Sequence, residues 1–246
     1  MGDWGIRVFA MAAAALGAIG LYWDDFALVW QPVPPGVPGR ALLAYVAGAL
    51  FLIGGVMLLP RRTAPYGALL LTALYAVNVL LHVPDAGAHP GEVVSWSGIA
   101  EQLALVVGGA VTCAFSAPLD AATSQRLIRI ARIVFGMCLL AFGAAHFAYP
   151  APTAAMVPKY LPPNQIFWAY ATGAGHVAAG LAILSGVLAR AAAWLLFAMF
   201  ASFALLVHLP ILVADPTTHL NWTMNAVNLA LTGTALLIAE SYRARA

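Results

Sequence analysis

Apolar stretches long enough to cross a bilayer recur along the whole of this chain, and that recurrence constrains its fold more than any other feature. A helical crossing needs about 20 mostly apolar residues. Such stretches fall at 5–23, 41–60, 64–83, 96–116, 129–148, 165–187, 189–209 and 221–240. Pro60 and the Arg61–Arg62 pair part the second from the third. Ser185, Gly186 and Arg190 mark the turn between the sixth and seventh, and the polar linker Ser116 to Arg126 divides the chain in two. In lipid every backbone polar group must be satisfied within the protein, which spans of this length achieve as helices. The predicted fold class is therefore all-α, a polytopic bundle of eight transmembrane helices. Of the 246 residues, 63% are hydrophobic and 8% charged, against roughly a quarter charged in soluble domains. A water-soluble fold of this size has no interior large enough for so much apolar side chain. The lipid bilayer is the first partner the sequence implies.

The cations set the expected orientation. Arg7, Arg61, Arg62, Arg126, Arg129, Arg132, Arg190, Arg243 and Arg245 fall on one side of the predicted spans, and only Arg40 and Lys159 on the other. Short cytoplasmic loops carry the Lys/Arg excess. The chain is thus predicted to be a multi-pass protein of the cytoplasmic (inner) membrane with both termini cytoplasmic. Asp24, Asp25, Asp85, Glu92 and Asp215 fall in outer loops. Trp4, Trp23, Trp96, Tyr149, Trp168, Trp222 and Tyr242 lie near span ends, where aromatic belts form. A net charge of +2 without a basic run gives no footprint for nucleic acid. Met1 to Trp23 has the composition of a signal peptide, but its counterpart later in the chain marks it as the first helix of a repeat.

A shift of 126 positions brings the two halves into register. Gly17 meets Gly143, Trp23 meets Tyr149 and Pro32 meets Pro158. After a one-residue slip Tyr45 meets Tyr170, Gly48 meets Gly173 and Gly55 meets Gly180. The first register then returns for His82-Val-Pro84 against His208-Leu-Pro210, Trp96 against Trp222 and Gln102 against Asn228. Two parallel four-helix repeats are predicted, 1–120 and 121–246. Parallel copies are related by an axis along the membrane normal. The Pro-rich outer loops, Asp24 to Arg40 and Pro150 to Pro163, carry more apolar side chain than a solvated loop needs, as at Phe26, Leu28, Val29 and Trp30. Each is expected to hold a short interfacial or re-entrant segment capping the bundle.

Ionisable and amide groups inside a membrane are costly and mark candidate sites. In the first half these are Asn78 and His82, four apart on one helix face, and Glu101, predicted to pair with one of them. In the second half they are His146, His176, His208 and Asn228, with Asn225 and the loop residue His219 nearby. His176 falls near the bilayer midplane. These groups suit proton handling or ligand binding, or packing as hydrogen-bonded core groups that join helices. His82 and His208, each followed by proline, are expected to end their helices and fix the exit from the bilayer. His146, His176 and His208 are the candidates for metal or haem iron, although no His-x-x-x-His spacing supports a metal. Cys113 and Cys138 sit singly in apolar runs and read as packed thiols. No triad, phosphate loop or dinucleotide fingerprint is present.

The second half carries Gly143-x-x-His146-Phe147-x-x-Pro150, Met156-Val157-Pro158-x-x-Leu161-Pro162, Thr172-Gly173-x-x-His176-x-x-x-Gly180, then Val207-His208-Leu209-Pro210 and Asp215-Pro216. This pattern resembles the DoxX / DoxX-like family of small four-helix membrane proteins over about 129–240. The first half joins it only through the repeat, lacking the His-Phe and Met-Val-Pro elements. Relatives often carry Glu at the position of His176. The resemblance implies a membrane redox subunit, linked to a quinone, with a partner protein supplying electrons. The alternative is a non-enzymatic binding or transport protein for a small hydrophobic solute. Quinone is the cofactor the first reading implies, with haem or a metal as the third possibility.

Overall fold

The computed structural model describes residues 4–242, and among them all regular structure is helical. In chain order the helices are α1 (Trp4–Trp23), α2 (Arg40–Met57), α3 (Ala64–Ala88), α4 (Val93–Ser116), α5 (Ala121–Ala148), α6 (Pro150–Met156), α7 (Gln165–Ser185), α8 (Ala189–Phe203), α9 (Leu209–Ala214) and α10 (His219–Ser241). A π turn, Ala204–His208, joins α8 to α9, so that Ala189–Ala214 runs as one rod. Eight segments are long and apolar enough to cross a membrane. The fold is the expected bundle, an integral membrane architecture. Arg243 and Arg245, counted above among the inner cations, lie outside the described residues.

The bundle is built around α4 and α10, which pack on each other. α4 also contacts α3 and α5, and α10 also contacts α1 and α8. In the first half α1 lies on α2 and α2 on α3; in the second α5 lies on α7 and α7 on α8. Swapping the halves leaves this scheme of contacts unchanged. The central position of α10 shows in its burial: 78% of its spanning window is inside the protein, against 11% for Ala189–Ala214.

Small residues set the closest crossings. A methyl group on Gly17 would fall on the Leu52 backbone nitrogen and 2.5 Å from the Gly48 carbonyl oxygen. At the corresponding crossing of α5 and α7, a methyl on Gly143 would lie 3.0 Å from the Gly173 carbonyl oxygen. Further along, Gly55 faces Ala10 and Ala14, and Gly180 faces Gly136. Backbones approach this closely only where side chains are absent, the usual means of packing helices in lipid.

Three local features differ from the sequence reading. α5 begins at Ala121, eight residues before the predicted start, because Asp120 caps it: the Asp120 carboxylate accepts from Thr123 N at 2.9 Å and Thr123 Oγ1 at 2.6 Å. Its 28 residues rise about 42 Å. That exceeds a hydrocarbon core of about 30 Å, so most of the supposed linker is helix. α3 does not end at His82 but continues through Pro84 to Ala88. His208 does not end its helix either. The π turn absorbs the approach to Pro210, and Asn225 Nδ2 donates to the His208 carbonyl at 2.9 Å. The Asn225 bond ties α10 to the end of the π turn, while Pro210 itself leaves the Leu206 carbonyl without its usual helical donor. Both long Pro-rich loops contain a short helix, Leu28–Trp30 in the first and α6 in the second.

Candidate functional site

α3 presents Tyr75, Asn78 and His82 along one buried stripe, a spacing of three and four residues that keeps them on one face. α4 faces that stripe with Gln102. Asn78 Nδ2 donates to Gln102 Oε1 at 3.1 Å, and Gln31 Nε2, from the loop above, donates to Asn78 Oδ1 at 3.4 Å. Gln31 Oε1 in turn accepts from Ala27 N at 2.8 Å. The loop, α3 and α4 are thus tied by one row of amides.

Glu101 lies outside that row. It is the neighbour of Gln102, about 100° further round α4, and its carboxylate accepts from Trp30 Nε1 at 3.0 Å. The expected pairing of Glu101 with His82 or Asn78 is therefore corrected: Asn78 is taken by the amides, and the indole of the capping segment takes Glu101. His82 packs on Gly98, where a methyl would lie 2.5 Å from His82 Nδ1. Arg40 pins the same loop. Its guanidinium pairs with Asp25 at 2.5 Å, its Nε donates to the Val33 carbonyl at 3.3 Å, and it lies 5.3 Å over the Phe26 ring.

Beneath this cap is a cavity of about 20 Å³, lined by Asp25, Trp30, Gln31, Tyr75, Asn78 and Gln102 and by small and apolar residues of the loop, α1, α2, α4 and α10. Among the described residues, Tyr75 Oη and Gln102 Nε2, both lining residues, are buried without a hydrogen-bond partner, as is His82 Nε2 on the same stripe of α3. Buried polar atoms are normally paired, and a cavity of this size admits one water-sized group.

The second half is arranged differently. Asn228 is buried and donates to the Phe200 carbonyl at 3.3 Å. His146 and His176 lie with ring centroids 5.0 Å apart, tilted by 55°. His146 Nδ1 is bonded to the Phe142 carbonyl at 2.8 Å. His176, 1% exposed, is enclosed by Phe142, Phe200 and Phe203 at 5.6, 5.4 and 6.3 Å between centroids. No ring contact among the described residues joins His208 to this pair, and no three His, Cys, Asp or Glu side chains among them form a metal-holding group. The three-histidine set read from the sequence is thus reduced to a pair. His219 stacks on Trp23, with centroids 5.0 Å apart and planes 8° from parallel. That contact fastens the start of α10 to the end of α1.

Residues 135–244 match the model of a family described as a domain of unknown function, DUF8561. The match covers His146, His176, His208 and Asn228 and leaves out the cavity of the first half. No curated protein and no solved structure matches the chain.

Sequence reasoning named Asn78, His82 and Glu101 but passed over Tyr75 and Gln31; it used Trp30 only as an apolar residue of the capping segment and Gln102 only as a repeat partner. The position of Tyr75, three residues before Asn78, is a usable signal. Trp30 and Gln31 reach the site through a turn of the loop and carry no helical period.

Proposed function

We propose that this chain is a multi-pass protein of the cytoplasmic membrane that binds a lipophilic molecule by its carbonyl oxygen beneath the outer cap of the first half. The carrying observation is the pair of unpartnered groups, Tyr75 Oη and Gln102 Nε2, at one cavity. A phenol and an amide NH2 both donate, so an acceptor oxygen satisfies them together. The cavity volume suits the oxygen and not a ring, so the rest of the ligand lies outside it. A quinone is the lipophilic carbonyl compound that joins this site to the DoxX-like resemblance. In that reading the chain is the membrane subunit of a redox system whose partner supplies electrons. The second reading is non-enzymatic binding or transport of a small hydrophobic solute. It is favoured by the amide row, which can hold an oxygen without exchanging electrons or protons.

The tandem-repeat reading belongs to the same proposal. The exchangeable contact scheme and the Gly17–Gly48 and Gly143–Gly173 crossings support it. The Arg excess at one end supports cytoplasmic termini. Single cysteines at Arg62 and Gly36, in a background free of Cys113 and Cys138, test the orientation. An impermeant maleimide applied to intact cells should label position 36 and spare 62; the reverse pattern refutes it.

Binding is tested with a short-chain benzoquinone and a matched alkyl-benzene lacking carbonyls, titrated into detergent-purified protein by tryptophan quenching. The quinone should saturate and the control should not. A Tyr75→Phe, Gln102→Leu variant should lose saturation while keeping its helical circular dichroism. Equal behaviour of the two compounds, or of the variant and wild type, would sink the carbonyl site. If the quinone binds but is not reduced or oxidised in membranes containing the partner chains, the non-enzymatic reading stands.

A further inference from the structure

The Arg-bearing end of α5 is separate from the cavity and unused by the function proposed above. We infer that the seam between α5 and α7 holds one anionic phospholipid, with its phosphate on Arg126, Arg129 and Arg190 and an acyl chain along Ile130, Ile133 and Met137.

Helical spacing puts charge and hydrocarbon on one face of α5. Residues 126, 129, 130, 133 and 137 recur at three- and four-residue steps and form one stripe, and all of them are exposed. Ile130, Ile133 and Met137 are 49, 49 and 57% exposed, whereas Ile128, Ala131, Arg132 and Phe135 turn inward and are buried. From Arg129 to the end of α5 at Ala148 the helix rises about 29 Å, which is one hydrocarbon core. Arg129 therefore stands at the boundary where lipid phosphates lie. The stripe from there to Met137 runs about 12 Å, most of one leaflet of about 15 Å.

α7 supplies the other wall. The two helices run antiparallel: a methyl on Gly143 would meet Gly173 and Val177, and one on Gly136 would meet Gly180 and Leu184. One more step of the same length brings Arg129 level with the turn between α7 and α8, where Arg190 is exposed. Three guanidinium groups thus converge at the head of the seam.

Charge selects the headgroup. None of the three arginines has an ion-pair partner among the described residues, and the nearby Asp120 carboxylate is occupied by Thr123. A guanidinium matches two phosphate oxygens at once, and basic groups between membrane helices at this level suit anionic headgroups. A phosphocholine headgroup carries its own cation, which the arginines repel. A free anion would use the arginines and leave the aliphatic stripe unexplained. Other arginines of this end lack the combination: Arg7 lies over the Trp4 ring at 5.2 Å, and Arg62 stands in a turn, outside any helix face.

The test uses the full chain in a non-ionic detergent, titrated with dioleoyl phosphatidylglycerol or dioleoyl phosphatidylcholine and read by native mass spectrometry. One phosphatidylglycerol should stay on each chain at concentrations where phosphatidylcholine is lost. An Arg126→Gln, Arg129→Gln variant with unchanged helical circular dichroism should hold it on the order of 30-fold more weakly, and Arg62→Gln should leave retention as it is. On the wild type, phosphatidylglycerol with a diazirine in its acyl chain should label 130–137 on illumination. Equal retention of the two lipids, undiminished retention in the double variant, an equal loss in Arg62→Gln, or a label outside that stripe would each overturn the assignment. So would displacement by equimolar inorganic phosphate, which marks a simple anion site.

Discussion

Trp30 and Glu101, 71 residues apart in sequence, are joined by an indole-to-carboxylate hydrogen bond of 3.0 Å. This bond ties the loop between α1 and α2 to the central helix α4. Trp30→Phe keeps the ring and removes the donor. It should lower thermal stability in detergent by roughly 1 kcal/mol. Glu101→Gln keeps an acceptor oxygen and should cost less. A double-mutant cycle with Glu101→Leu measures the coupling; additive losses would mean that the Gln31–Asn78 bond and the Arg40 contacts hold the loop without this one.

The crossing of α1 and α2 should be intolerant of a single methyl group. In Gly17→Ala the new carbon meets backbone atoms of Leu52 and Gly48, which cannot rotate away. The helices must part, at a cost of about 1–3 kcal/mol. Gly87, in the last turns of α3, has nothing within 4 Å of the added carbon. Gly87→Ala should be neutral, or stabilising by up to about 1 kcal/mol. Unfolding of the two variants side by side in one detergent compares a close approach with an open position.

Asn225 Nδ2 donates to the carbonyls of both His208 and Asn221, at 2.9 Å each. The first of these bonds supports the π turn ahead of Pro210. Asn225→Ala should cost about 0.6 kcal/mol, the usual worth of an interhelical hydrogen bond in membrane proteins. It should also raise hydrogen exchange selectively in 204–214. A uniform rise across the chain would count against a local role.

Asp120 gives a pH dependence outside the spans. Its bonds from the Thr123 side chain and amide hold its carboxyl below the ordinary aspartate value. A depressed folded-state pKa contributes stability above the unfolded-state value, and that contribution is lost as pH falls through the folded-state value. The melting temperature of the wild type should therefore fall on acidification below about pH 4 more steeply than that of Asp120→Asn, which keeps the cap without the charge. Parallel melting curves for the two between pH 7 and pH 3 would remove the role of this carboxylate.

The spans were legible because a bilayer demands about 20 apolar residues in a row, a signal that needs no partner to read. Their ends were less so. The start of α5 depends on one side chain, Asp120, folding back on Thr123, and the polar residues after it look like a linker until that cap is seen. The prolines at 84 and 210 looked like helix ends, since a local rule cannot know that α3 runs on to Ala88 or that a π turn carries the rod past Pro210. In the site, Asn78 and His82 showed themselves by their four-residue spacing. The choice of Trp30 by Glu101 depends on how a loop turns, and no periodicity records that. The reduction of three histidines to a pair likewise depends on helix faces: His146 and His176 meet where α5 crosses α7, while His208 is carried on the π turn beyond α8.

The seat of α1 on α10 has a consequence for how the molecule is made. Gly5 N donates to Glu240 Oε2 at 3.3 Å across 235 residues of sequence. The Phe9 backbone lies against Gly233, where even a methyl would come within 2.7 Å of the Phe9 nitrogen. During synthesis α1 enters the membrane while the surface that will cover it has not been translated. Until then the side of α1 that carries Gly5 and the Phe9 backbone must face lipid or an insertion factor. α1 can pair with α2 as soon as that helix is made, but its contact with α10 has to wait for the last span. Assembly then resembles the closing of a ring more than the growth of a stack. A nascent chain arrested before α10 should expose the Gly5 side of α1 to cross-linkers, and release of the next segment should protect it.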